Sequence, residues 1–173
     1  MCIRDRSYIN YLHGKGVFTA DEGFRPQASA TNEMIATIIS RYMGIDTTKY
    51  EDVQLPYADL DKIHDWALPH VKALYSLGIM QGGSDGQGNI WFYPADGASR
   101  ARVMTVLGRT IKRGYSYTDA QYADMADAPA WARDHISILT HLGIVNGYGG
   151  ENNVMPNAGI TRAEIAAILY RLY

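Results

Sequence analysis

One frame occurs three times along this chain, anchored on Pro26, Pro94 and Pro156. Five positions after each proline stands a hydroxyl residue (Thr31, Ser99, Thr161), and fifteen after it an arginine (Arg41, Arg109, Arg171). A period of about 62 to 68 residues constrains the fold more than any composition does. Each copy is one supersecondary unit too small to bury its own apolar face, so the copies must cover one another.

The frame reads as the start of a helix. Thr31, Ser99 and Thr161 each precede an apolar series at helical spacing, which makes them N-caps whose side-chain oxygen takes an otherwise unpaired N–H of the first turn. The buried stripes are Ile35, Ile38, Ile39 and Tyr42 in the first copy and Val103, Val106 and Leu107 in the second. In the third they are Ile165, Ile168, Leu169 and Leu172. Glu164 completes a capping box with Thr161, whereas Met34 and Arg102 stand at that place in the other copies.

Arg100 and Arg162 follow their caps directly, at the positive end of the helix dipole, where a cation is disfavoured by roughly 0.3–1 kcal/mol. Helix stability does not explain them. A guanidinium fork beside free backbone N–H groups suits a carboxylate, so these two arginines are candidate anion ligands, against the commoner alternative of a surface arginine paired with a neighbouring acid.

Each capped helix is preceded by another. Trp66 to Ile79 and Trp131 to Ile144 align residue for residue: the tryptophan, Val71/Ile136, Leu74/Leu139 and Leu77/Leu142 form the predicted buried side, and Gly78 or Gly143 the stop. An acid, Asp59 or Asp124, stands seven residues before each tryptophan. In the first copy Gly16 is the matching stop and Tyr8 to Leu12 the remaining helix, which places the missing tryptophan at position 4.

Met1 to Arg6 resembles the translation of a sequencing-adapter end and is set aside, together with the single cysteine, Cys2. The expectation is a chain whose true start and any signal peptide lie upstream, with residues 7–44 a first copy truncated by loss of its Trp and Asp and weakly packed. Residues 45–111 and 112–173 are the second and third copies. No disulfide, thiolate metal site or cofactor is expected.

The loops between paired helices run Thr19 to Arg25, Gln81 to Tyr93 and Asn146 to Met155, and linkers Gly44 to Pro56 and Lys112 to Gln121 join the copies. Asp85 in its glycine-rich loop reads as turn chemistry, since one carboxylate cannot satisfy calcium. A net charge of −2 without a basic run argues against nucleic acid, and no apolar run approaches membrane-spanning length. The fold class that follows is all-α: three helix-loop-helix repeats in a compact pseudo-threefold bundle.

Tyr57-Ala-Asp59, Trp66-Ala, Gly-Ile followed by Gly82 or Gly147, Phe92-Tyr-Pro94 and Thr161-Arg-Ala-Glu164, in fixed order, resemble the S-layer homology domain. The resemblance implies a non-catalytic cell-wall anchor of exported proteins, located extracellularly. Its partner would be a pyruvylated secondary cell-wall polysaccharide, or another peptidoglycan-linked glycan, held in grooves between repeats. By that resemblance Arg100 and Arg162 take the pyruvyl carboxylate, and Asp59 and Asp124 accept from sugar hydroxyls. Asn32, which replaces the arginine in the first copy, marks a groove expected to bind weakly or not at all.

Trp66 and Trp131 are core anchors on ordinary frequencies, with a sugar-facing role as the alternative. Gln81-Gly82 and Asn146-Gly147 follow the glycine stop, where bare backbone admits a ligand or merely turns tightly. His70 and His135 have no metal-spaced partners and read as structural. Thirteen tyrosines against three phenylalanines suit a wet, polar-tipped surface. Catalysis finds no nucleophile elbow, zinc motif or phosphate loop. Two alternatives to wall binding are a helical protein-interaction scaffold and the C-terminal targeting part of a cell-surface enzyme. Arginines converging with Asp and Trp in clefts would favour sugar; arginines paired off on convex surface would favour the scaffold.

Overall fold

A computed structural model describes residues 3–19, 24–111, 116–148 and 150–172, with backbone alone for residues 3–6. Met1, Cys2, part of the first loop and the start of the second linker lie outside the described residues. Among the described residues six α-helices run in three pairs: α1 (Ile3–Gly14) and α2 (Asn32–Tyr42), α3 (Leu68–Ser76) and α4 (Arg100–Thr110), α5 (Ala130–His141) and α6 (Arg162–Leu172). The fold is all-α as expected, apart from a small antiparallel hairpin in the second loop, β1 (Gly83–Ser84) and β2 (Ile90–Trp91).

The three copies close on one another through backbone. Ala30 N–H donates to Ile160 O at 3.0 Å, Ile160 N–H to Ala98 O at 3.1 Å, and Ala98 N–H to Ala30 O at 2.8 Å, a cyclic triangle on the pseudo-threefold axis. All three residues are buried. They directly precede the caps, so the axis fixes where α2, α4 and α6 begin.

The caps form as the sequence requires. Thr31 Oγ1 accepts from Met34 N, Ser99 Oγ from Arg102 N and Thr161 Oγ1 from Glu164 N; Glu164 Oε2 in turn accepts from Thr161 N at 2.7 Å, completing the box. The apolar stripes from Ile35 to Ile39, Val103 to Leu107 and Ile165 to Leu169 make the core.

Packing runs between copies. α2 lies on α3, α4 on α5 and α6 on α1, so the second helix of each copy meets the first helix of the next and the ring closes. Corresponding positions mark these crossings. Ser40 Oγ and His70 Nδ1 are hydrogen-bonded at 2.9 Å, Gly108 lies against His135, and Tyr170 stacks on Tyr8 with ring centroids 4.4 Å apart. At Gly108 a methyl group would come within 2.6 Å of the His135 ring, which is why the second crossing uses glycine. His70 and His135 are thus helix-crossing residues, a more specific place than the structural reading the sequence allowed.

Gly16, Gly78 and Gly143 end α1, α3 and α5 in the left-handed region, with the next residue's N–H returning to Leu12, Leu74 or Leu139. Two expectations need correction here. Leu77 and Leu142 are exposed, and so are Trp66 at 47% and Trp131 at 53%; the buried line is Ala67/Ala132, Val71/Ile136 and Leu74/Leu139. Ala67 and Ala132, one residue beyond each tryptophan, are fully buried, and that turns the indoles outward. Nor is the first copy weakly packed: Leu12, Val17 and Phe18 are buried, and α1 extends back to Ile3 against α6.

Candidate functional site

Two clefts of similar size and corresponding floors lie between copies. The first, of about 350 Å³, has α2 as its floor through Met34, Thr37, Ile38 and Arg41, with Trp66 of the second copy and Arg162 of the third on its walls. The second, of about 340 Å³, has α4 as its floor through Arg102, Thr105, Val106 and Arg109, with Gln81 to Ser84 and Trp131 of the third copy around it. Both volumes lie in the range of small-molecule sites. The floor residues recur at i, i+3, i+4 and i+7, one face of each helix.

Trp66 is a braced wall. Its indole stacks on His64 at 5.9 Å, and His64 Nδ1 lies 3.0 Å from the carboxylate of Glu33, which is buried in α2. The sequence reading missed this pair, whose only signal was an acid where the other copies have Ala101 and Ala163.

The three residues after the caps meet different fates. Arg162 places its guanidinium 4.8 Å from the Phe24 ring centroid, has no carboxylate partner among the described residues, and faces the first cleft. Burial, with Arg25 nearby, pulls its pKa down. Arg100 is 5% exposed, donates through Nε to Val154 O at 2.9 Å and pairs with Glu164 Oε1 at 3.1 Å, its guanidinium over the Tyr148 ring. Its expected role as a carboxylate ligand is therefore corrected: the carboxylate it holds belongs to this protein. Asn32, 2% exposed, donates to Tyr93 O at 2.8 Å.

No free N–H groups flank these residues, contrary to expectation. The first two amides of each helix donate to carbonyls of the neighbouring copy: Asn32 and Glu33 to Asp96 and Pro94, Arg100 and Ala101 to Ala158 and Pro156, Arg162 and Ala163 to Ala28 and Pro26. The cap takes the third amide. The helix starts therefore keep no first-turn amide for an outside anion.

Asp59 and Asp124 are likewise corrected. Asp59, 2% exposed, accepts from Phe92 N at 2.9 Å and Tyr93 N at 2.8 Å; Asp124 accepts from Val154 N and Met155 N at 2.8 and 2.7 Å. Tyr93 and Met155 have φ of 57° and 51°, a left-handed backbone just before proline, and each carboxylate clamps that turn. These acids hold the loop and do not face a cleft.

Gly82 and Gly147 are left-handed as well, and a side chain at either would strike backbone, Trp91 O or Glu151 O, at 2.8 Å. Tyr57 packs against Gly82 and Tyr122 near Gly147, so the tyrosine two before each acid and the glycine after each stop are one packing unit. Gln81 and Gly82 line the second cleft; Asn146 and Gly147 line neither. Asn146 Nδ2 donates instead to Gly143 O. Asp85 spends its carboxylate inside its own loop, accepting from Gln87 N, Asn89 and Trp91 Nε1, and these bonds hold its pKa at about 2. The recurring Arg109 and Arg171 donate to Ile79 O and Ile144 O, at 3.1 Å each, just beyond the glycine stops.

The order and spacing of these clamps, stops and caps can be compared with known proteins. The sequence model of the S-layer homology domain matches residues 56–101 and 121–166, more than half of the chain. The chain belongs to the S-layer homology domain family. Membership associates it with the cell surface. The two matched segments fall in the second and third copies. Among its relatives, Cell surface glycoprotein 1 of Acetivibrio thermocellus is 29% identical over 160 residues, 87% of this chain and 7% of that protein. An Amylopullulanase of Thermoanaerobacterium thermosulfurigenes is 29% identical over 158 residues, 88% of this chain and 8% of the enzyme. The Surface-layer 125 kDa protein of Lysinibacillus sphaericus is 32% identical over 111 residues, 64% of this chain and 9% of the relative. The S-layer homology chain thus spans under a tenth of the length of these three proteins. No helix among its described residues is long and apolar enough to cross a membrane.

Proposed function

We propose that this S-layer homology chain anchors the protein it belongs to non-covalently to a cell wall, by binding an acidic wall polysaccharide in its inter-copy clefts. The acidic group is a pyruvyl ketal, and the first copy is a third, shortened repeat. The observation that carries this reading is the convergence in the first cleft. Trp66 from one copy offers a half-exposed indole face, and Arg162 from another offers a guanidinium without a carboxylate partner among the described residues. An indole face takes the C–H side of a sugar ring, and a guanidinium fork takes a carboxylate in two parallel hydrogen bonds. Arg41 on the floor adds a second cation, so an anion entering the cleft meets positive charge from two copies.

Co-sedimentation with purified cell walls tests it. The chain is expected to pellet with intact walls and to stay in solution with walls stripped of pyruvyl groups. Arg162→Ala should weaken pelleting while leaving the melting temperature within about 2 °C, because exchanges that remove no buried hydrogen bond change stability little. Equal pelleting with both wall preparations would overturn the pyruvyl reading, and a chain that pellets with neither would overturn wall binding.

A further inference from the structure

The three junctions between copies pair different residues at two corresponding positions, the one after the cap and the one three after it. At the junction of the second and third copies these are Arg100 and Glu164, which form an ion pair at 3.1 Å. Where the third copy meets the first they are Arg162 and Met34, and both line the first cleft. Where the first copy meets the second they are Asn32 and Arg102. The cation has changed sides.

Arg102 lines the second cleft, on the same α4 face as Thr105 and Arg109 and across from Trp131. Its NH1 makes one long hydrogen bond, to Phe92 O at 3.4 Å, and no ion pair among the described residues involves it. Asp96 acts on it only through space, and burial lowers its pKa. Asn32 is too buried to meet a ligand and already donates to Tyr93 O.

We infer that Arg102 is the carboxylate-binding residue of the second cleft, supplying from the floor the charge that Arg162 supplies from the wall of the first. The inference rests on the acidic-sugar reading above and reverses the sequence expectation for the cleft beside Asn32. Two sequence departures, Met34 and Arg102, thus decide which junctions present a guanidinium without an ion-pair partner among the described residues. At the remaining junction Glu164 neutralises Arg100 from within.

The test uses the whole chain and two of its three indole N–H resonances as local reporters, Trp66 for the first cleft and Trp131 for the second. The probe is a methyl hexopyranoside carrying a 4,6-linked pyruvyl ketal, with its methyl ester as the uncharged control. With the unaltered chain both indoles should respond to the acid, and respond less to the ester. In Arg102→Glu the Trp131 response should weaken at least about tenfold, the scale of a lost charge-assisted hydrogen bond, while that of Trp66 persists. Arg162→Ala should do the reverse. Arg102→Glu should fold at least as well as the parent, because a glutamate there rebuilds with Ser99 the capping box that Glu164 makes with Thr161. Arg102→Lys, which keeps the charge, should retain part of the Trp131 response. If Trp131 responds unchanged in Arg102→Glu, or if only Trp66 responds in the parent chain, the assignment of Arg102 is overturned and the first cleft stands. If neither indole responds in the parent chain, the acidic-sugar reading itself falls.

Discussion

Replacing Asp59 by alanine separates two roles that the sequence leaves indistinguishable. As a sugar ligand, Asp59 would be dispensable for folding. In the structure its two oxygens accept the amides of Phe92 and Tyr93 at 2.9 and 2.8 Å from a position 2% exposed. A hydrogen bond to an ionised acceptor contributes about 1.5–3 kcal/mol, and a buried amide left without a partner bears the full desolvation cost. The left-handed Tyr93 also loses what holds it, a conformation that costs of order 1–3 kcal/mol. Water entering the emptied site and loop relaxation recover part of this. The expected loss is about 3 kcal/mol, a large fraction of the 5–15 kcal/mol typical of whole domains. For a chain of 173 residues, at about 2–4 °C per kcal/mol, that is a fall of about 6–12 °C in melting temperature. Calorimetric melting of the purified variant reads it directly. Asp124→Ala, at a half-buried site with the same geometry, should lose less. A melting temperature within 2 °C of the parent for Asp59→Ala would refute the clamp and return Asp59 to the ligand side.

Gly108→Ala should destabilise by about 1 kcal/mol despite alanine's higher helix propensity, because the added methyl lies 2.7 Å from His135 Cβ and α4 and α5 must separate. A melting temperature equal to or above the parent's would show that the helices do not approach so closely. For the hairpin loop, the Asp85 carboxylate has a folded-state pKa depressed to about 2 from 3.8. Its contribution is therefore complete above about pH 4 and lost as the pH falls through 2. The Trp91 indole N–H, which donates to Asp85, should titrate with a midpoint near 2 by nuclear magnetic resonance and not titrate in Asp85→Asn. A midpoint near 4 would mean the carboxylate is not held.

Local patterns were reliable where backbone chemistry is local. The caps at Thr31, Ser99 and Thr161 and the stops at Gly16, Gly78 and Gly143 depend on hydrogen bonds within one turn, and their side-chain requirements are written in adjacent residues. The outward turn of Trp66 and Trp131 was misread because the Ala67 and Ala132 that follow them are small, and helical phase alone does not say which of two neighbours faces the core. Asp59 and Asp124 were visible as recurring acids, but their partners lie 30 to 34 residues away along the chain.

The amino-acid sequence alone determined the threefold frame, the helix starts and stops, and the family to which this S-layer homology chain belongs, because each rests on residues close together in the chain. Which arginines lack a carboxylate partner among the described residues was decided only by tertiary structure. Arg100 and Arg162 follow identical caps, yet one meets Glu164 across a junction and the other meets Met34 in an open cleft. Whether a charge is neutralised depends on what the neighbouring copy brings within about 4 Å, and the cyclic closure of the three copies sets that neighbour.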